Sequence, residues 1–229
     1  DFDRINARQE RLCVGAVNVR NGNFVYFDNF IHEIGPEHIM ASGALPPALP
    51  AIKIEGELYW DGGIVSNTPL QYLLELEDGL SSLVFQVDLF SAQGALPRDM
   101  AQVASRHKDI MYSSRTRQST NHFKKIHGLK MALLKLLDHV PEADRDVALK
   151  SLAREIGHPG VVNLIHLIYQ QKNYEGAAKD HEFSGTSRRE HWQAGYDDTR
   201  RTLRHQNWLD RPEEAVGLQI HDLHRDAEF

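Results

Sequence analysis

The residues best suited to chemistry are Asp61, Gly62 and Gly63, set within ELYWDGGIVSNTPLQYLL (57–74). The stretch reads as a strand, a tight turn carrying the triplet, a loop and a capped helix. A strand end holds a carboxylate rigidly. Two glycines permit backbone angles that a side chain forbids, and they let another segment approach closely. A carboxylate held this way acts as a general base when a hydroxyl lies within hydrogen-bond reach. On the triplet alone an ordinary Asp-Gly turn is the simpler reading, so the choice between them rests on the flanks.

Other chemistries find less support. Thirteen histidines raise the question of a metal. No His-Glu-x-x-His motif and no Cys/His cluster is present. His221 and His224 could share a helix face, but they lie in the tail, and no metal site is expected. Cys13 is the sole cysteine, which excludes an internal disulfide; it reads as a small buried hydrophobe. No serine has glycine at both −2 and +2. Ser81 has Gly79 before it but Leu83 after it. The nucleophile elbow of a serine hydrolase is therefore not found in these residues. Trp192 and Tyr196, at helical spacing, read as packing residues.

Several elements must position the triplet. Arg11–Arg20 and Asn23–Asp28 form a hairpin about Asn21-Gly22, a two-residue turn signal. Pro36 opens a short helix that ends near Ser42-Gly43. Leu45–Pro50 holds three prolines and is irregular. Ile52–Ile54 and Glu57–Trp60 pair about Gly56. Thr68, Pro69 and Gln71 make a capping box for a helix with Leu70, Leu73, Leu74 and Leu76 on its buried stripe. Asp78-Gly79 stops it, and Ser82–Leu89 is a buried strand; strand, helix, strand predicts a parallel crossover.

From Asp99 the period is helical through Met100, Val103, His107, Ile110, Met111 and Ser114, with a break near Ser119-Thr120-Asn121. Leu129, Leu133, Leu136 and Leu137 continue the pattern. Pro141-Glu142 opens another helix, ending at Gly157–Gly160, and Val161–Tyr169 is a strand. Gln170–Phe183 is a loop. Ser187–Glu190 is a capping box for a helix whose packed face carries Trp192, Tyr196, Thr199 and Leu203. Arg211 onward is a charged, helical tail.

The 229 residues are 41% hydrophobic and 25% charged, as in an ordinary globular protein, and their formal net charge is −6. That balance argues against a dedicated nucleic-acid binder. No apolar run approaches the roughly 18 residues needed to span a bilayer. The composition fits a cytoplasmic protein. Residues 98–130 are basic, with His107, His122 and His127 among them. This stretch is read as a helix face for peripheral contact with anionic lipid, or, more simply, as a solvated face paired with acids elsewhere.

The flanks decide the reading of Asp61. The run ASGALPPALP (41–50), then YWDGGIVSNTPL (59–70), resembles the C-terminal half of the catalytic domain of patatin-like phospholipases. LCVGAVNVRNGNFVYFDN (12–29) resembles the strands that precede it. RHKDIMYSSRTR (106–117) and VNLIHLIYQ (162–170) resemble the C-terminal extension of a bacterial branch of that family. The resemblance implies a three-layer α/β/α sheet, incomplete here because its N-terminal strands are missing. Residues 1–97 would then be part of the catalytic domain and 98–229 a mostly helical extension. It implies a lipid or ester substrate, no cofactor, and a serine–aspartate dyad in which Asp61 activates the serine, with Gly62 and Gly63 supporting the turn.

The serine elbow and the glycine-rich oxyanion loop of that family precede the segment seen here. The expectation is a chain lacking the N-terminal part of its domain, inactive by itself, with an exposed sheet edge or apolar face that a second chain or copy completes. The competing expectation is a non-catalytic lipid-surface or protein-interaction module that retains the fold.

Overall fold

The computed structural model describes residues 1–76, 80–113, 116–157, 160–169, 184–204, 206–210, 212–213 and 216–221. The chain forms a mixed α/β fold of two compact units, Asp1–Pro69 and Leu70–Phe229.

In the first unit, α1 (Phe2–Asn6), β1 (Cys13–Asn18), β2 (Phe24–Asp28), α2 (Pro36–Ser42), β3 (Ile52–Ile54) and β4 (Glu57–Asp61) follow one another. The sheet is antiparallel throughout, in the order β2-β1-β4-β3. The predicted hairpin β1–β2 pairs Cys13 with Asp28 and Val17 with Phe24. Its connection is longer than a two-residue turn. Asn18 Oδ1 accepts from the amides of Arg20 and Asn21, and Gly22 alone of the expected pair takes positive φ, at 71°. The tight two-residue turn lies between β3 and β4, where Glu55 and Gly56 have φ of 50° and 90°. Ala16, Phe27, Ile34, Ala41 and Ile54 bury against one another, drawing α2 onto the sheet.

A polar network at the end of β2 secures the N-terminal residues. The Arg11 Nε donates to Asp28 Oδ2 at 2.8 Å, and the Phe30 amide donates to Oδ1 at 2.9 Å. The Asn29 side-chain amide donates to the carbonyls of Ile5 and Glu10 while its oxygen accepts from the Leu12 amide. Burial pushes the Asp28 carboxyl up, but the hydrogen bonds from Arg11, Phe30 and Cys13 outweigh it and hold the pKa at about 2.

The second unit holds α3 (Leu70–Leu76), β5 (Ser82–Asp88), α4 (Met100–Tyr112), α5 (Thr116–Asp138), α6 (Val147–Ile156), β6 (Val162–Ile168), α7 (Gly185–Leu203) and β7 (Leu218–His221). Its sheet is parallel, β5-β6-β7. The parallel crossover expected across α3 therefore does not form, since β4 and β5 belong to different sheets; β5 returns in parallel as β6 after α4, α5 and α6. This sheet draws strands from both sides of residue 98. Leu70, Leu74, Val84, Val162, Leu164 and Leu218 form its core, with Phe123 packed against them. On the other face Phe85 meets the Trp208 ring edge-on, and the Asn163 amide donates to the carbonyls of Trp208 and Asp210. The alternation along β5 is inverted. Gln86 and Asp88 point inward, while Leu83, Phe85, Val87 and the following Leu89 are exposed.

Several element ends differ from expectation for local reasons. Thr68 Oγ1 is buried and without a hydrogen-bond partner, so it makes no cap for α3. Ser119-Thr120-Asn121 lies inside α5, with Thr120 buried; the interruption falls earlier, where Ser113 ends α4. After Pro141 the chain makes only a 3-10 turn, and α6 begins behind Asp146, whose carboxylate accepts from the Leu149 amide. Ser184, not Ser187, caps α7; its hydroxyl accepts from the Ser187 amide. The buried residues of α7 are Ala194 and Thr202, whereas Trp192 and Tyr196 are exposed. His221 closes a strand rather than occupying a helical tail. The expected features at Asp78-Gly79, Ser114, His158-Pro159, 170–183 and His224, and the side chain of Leu76, lie outside the described residues.

Two consequences are measurable. The folded-state pKa of Asp28 lies below its ordinary value of 3.8. Its contribution to stability is therefore fully present above that value and is lost as pH falls through about 2. Asp28→Asn should flatten the acid side of a melting-temperature series. At Gly160, an added Cβ would overlap the Leu80 backbone where β5 and β6 begin. Gly160→Ala should destabilise the second unit by about 1–3 kcal/mol in thermal or denaturant melts.

Candidate active site

Asp61 is the last residue of β4, a strand with a neighbour on each side. Its backbone pairs with Ala16 of β1, and its amide donates to the Ala44 carbonyl at 3.1 Å. The carboxylate is therefore carried on a backbone held from two directions. Gly62–Ile64 turns away at once as a single 3-10 turn, and the Val65 and Ser66 amides both donate to the Gly62 carbonyl.

Within the turn, the Gly63 amide donates to Asp61 Oδ1 at 2.7 Å. This is the single hydrogen bond to the carboxylate among the described residues. Asp61 is half-buried, and burial raises its pKa above 3.8; the Gly63 amide acts in the opposite direction. A carboxylate so placed is a stronger base than one in water, and it retains acceptor capacity on its second oxygen.

The glycines serve by their size. Neither Gly62 nor Gly63 takes positive φ, so the expected need for special backbone angles does not apply here. Close approach is what requires them. A Cβ on Gly62 would stand 2.6 Å from the Gly15 carbonyl oxygen and 3.1 Å from the Phe24 ring. A Cβ on Gly63 would stand 3.1 Å from Asp61 Oδ1 and 3.2 Å from Asn67 Oδ1. Asn67 thus folds back over the turn beside the carboxylate. Its place in the Asn-x-Pro sequence after the triplet is the signal that points to it.

The second unit holds a polar pair that the sequence reading did not single out. Asp88 and His166 lie at the carboxyl ends of β5 and β6, both buried, with His166 Nε2 3.3 Å from Asp88 Oδ2. An ionisable residue within each of the apolar runs SLVFQVDL and VNLIHLI was the available clue. Among the described residues no group of three His, Cys, Asp or Glu side chains could hold a metal ion, and no helix is long and apolar enough to cross a membrane.

The two glycines predict different phenotypes. Gly62→Ala presses a methyl group into the β1 backbone and should cost about 1–3 kcal/mol in thermal stability. Gly63→Ala meets side-chain oxygens that can shift. It should cost less stability while displacing the Asp61 carboxylate, which NMR titration of that carboxyl would detect as a changed pKa.

Two comparisons bear on this site. A family model described as Patatin-like phospholipase matches residues 6–74, which contain the whole Asp61 turn. A second, described as Patatin phospholipase, matches residues 110–215. No curated protein matches the chain. The two matches leave residues 75–109 between them, and both descriptions name patatin phospholipases. The chain belongs to the patatin-like phospholipase family.

Proposed function

We propose that this chain carries the base half of a serine–aspartate lipid acyl hydrolase. The observation that supports this best is the Asp61 carboxylate. It ends an internal strand, bears one amide hydrogen bond, has a raised pKa and lies in the segment matched to the family. In the reaction, a serine hydroxyl attacks the acyl carbonyl while Asp61 accepts its proton. Collapse of the tetrahedral intermediate expels the alcohol, which takes the proton back. Water, deprotonated by Asp61, then releases the fatty acid. Asn67 orients the turn that holds the base.

None of these 229 residues provides a serine elbow, so the nucleophile is assigned to a part of the parent protein outside them. The chain alone should give no turnover of p-nitrophenyl butyrate. In the parent protein, Asp61→Ala should lower kcat/KM by about 10²–10⁴-fold. The acid limb of the pH profile should lie above 3.8, because burial raises the pKa of a base that must be ionised to act. Unchanged turnover in Asp61→Ala would refute the assignment. Turnover by the isolated chain that depends on Asp61 would place the nucleophile within these residues.

A further inference from the structure

β5 is an end strand of the parallel sheet β5-β6-β7, and one of its two edges pairs with β6. The ends of that pairing show which backbone groups it uses. The Ser82 amide donates to the Val161 carbonyl at 2.9 Å, and the Asp88 carbonyl accepts from the Tyr169 amide at 2.8 Å. In a strand the amide and carbonyl of one residue point to the same side, and successive residues alternate. Ser82, Val84, Gln86 and Asp88 therefore bond to β6. The amides and carbonyls of Leu83, Phe85 and Val87 point to the other edge, where no strand pairs among the described residues. The same three residues carry exposed side chains, from 45% to 57% exposed.

We propose that this edge of β5 pairs antiparallel with β5 of a second copy of the chain. The open backbone groups decide what kind of surface can cover it. A bilayer or the side of a helix would cover the apolar row but leave these amides and carbonyls without partners, which is costly once water is excluded. A strand satisfies them. β5 also lacks the features that keep edge strands apart. It has no lysine, arginine or proline, and its one charged residue, Asp88, faces inward.

A second copy supplies the matching strand by symmetry. About a two-fold axis normal to the sheet, two β5 strands run antiparallel, and each copy covers the open edge of the other, so the pairing closes at two copies. An extended peptide would instead leave its own far side open. Residues 83, 85 and 87 of the two copies then bond to one another, and their side chains meet on one face of a continuous sheet. Charge agrees with this direction. Asp88 is the last residue of β5; antiparallel strands hold the two carboxylates at opposite ends of the joint, whereas parallel strands would set them side by side. This inference rests on the second unit and is independent of the role given to Asp61.

Sedimentation equilibrium and hydrogen exchange of the full 229-residue chain test it. The mass should rise with concentration from one copy to two. The amides of Leu83, Phe85 and Val87 should exchange fast in dilute solution and become protected as the dimer forms. Those of Val84, Gln86 and Asp88, bonded to β6, should be protected throughout. The Leu83→Lys, Val87→Lys double variant, altered only at exposed side chains, should raise the dimer dissociation constant at least about tenfold, with circular dichroism unchanged. A chain that stays monomeric, or one that assembles beyond two copies, overturns the proposal. So does a dimer in which the amides of Leu83, Phe85 and Val87 still exchange fast, which would move the contact to another surface, such as the exposed leucines of α5. Equal dimerisation of the double variant and the unaltered chain overturns it as well.

Discussion

The absence of one Cβ atom governs the candidate site. The Gly62 backbone lies so close to the Gly15 carbonyl of β1 that no side chain fits between them. Phe24 closes the same space from β2, lying over Gly15 as well as Gly62. Two neighbouring strands and the turn after β4 thus meet at a point where two of the three residues are glycines. Once that contact forms, the turn has little freedom, and Gly63 is brought where its amide meets Asp61 Oδ1. Precision of the carboxylate follows from close packing beneath it, because a packed backbone cannot shift without moving the sheet.

Two aspartates of the first unit end their strands and experience opposite fields. Asp28 is fully buried, yet it is held ionised by a guanidinium and further donors, and its pKa lies at about 2. Among the described residues Asp61 has one amide donor and no cation; burial prevails and the pKa rises. The first arrangement stabilises a charge permanently and suits a structural anchor. The second leaves a carboxylate able to take up a proton, which a general base requires. Identical residue types are separated in pKa by the number of donors that converge on them.

Two elements of the second unit depart from the usual placement of polarity. β5 turns Gln86 and Asp88 inward and an apolar row outward, and α5 likewise presents leucines to the exterior. Asp88 in this interior meets His166. α5 carries five basic residues and a single acid, a local excess that the net charge of −6 over the chain conceals.

Much of the fold was legible from residue patterns. Apolar runs located six of the seven strands among the described residues, Pro36 marked the start of α2, and the flanks of Asp-Gly-Gly pointed to the family. Those features are local: strand runs, proline positions and turn residues constrain the backbone without reference to distant residues. Tertiary structure decided what depends on neighbours remote in sequence. It placed β4 and β5 in separate sheets, paired Asp88 with His166 across a span of 78 residues, and left Trp192 exposed where helical spacing implied packing. It also gave Gly62 its reason: the sequence shows a glycine, but only the fold brings Gly15 against it. Asp61 is proposed from its motif, which one dimension supplies. The raised pKa that suits it to be a base arises from burial, which exists only in three.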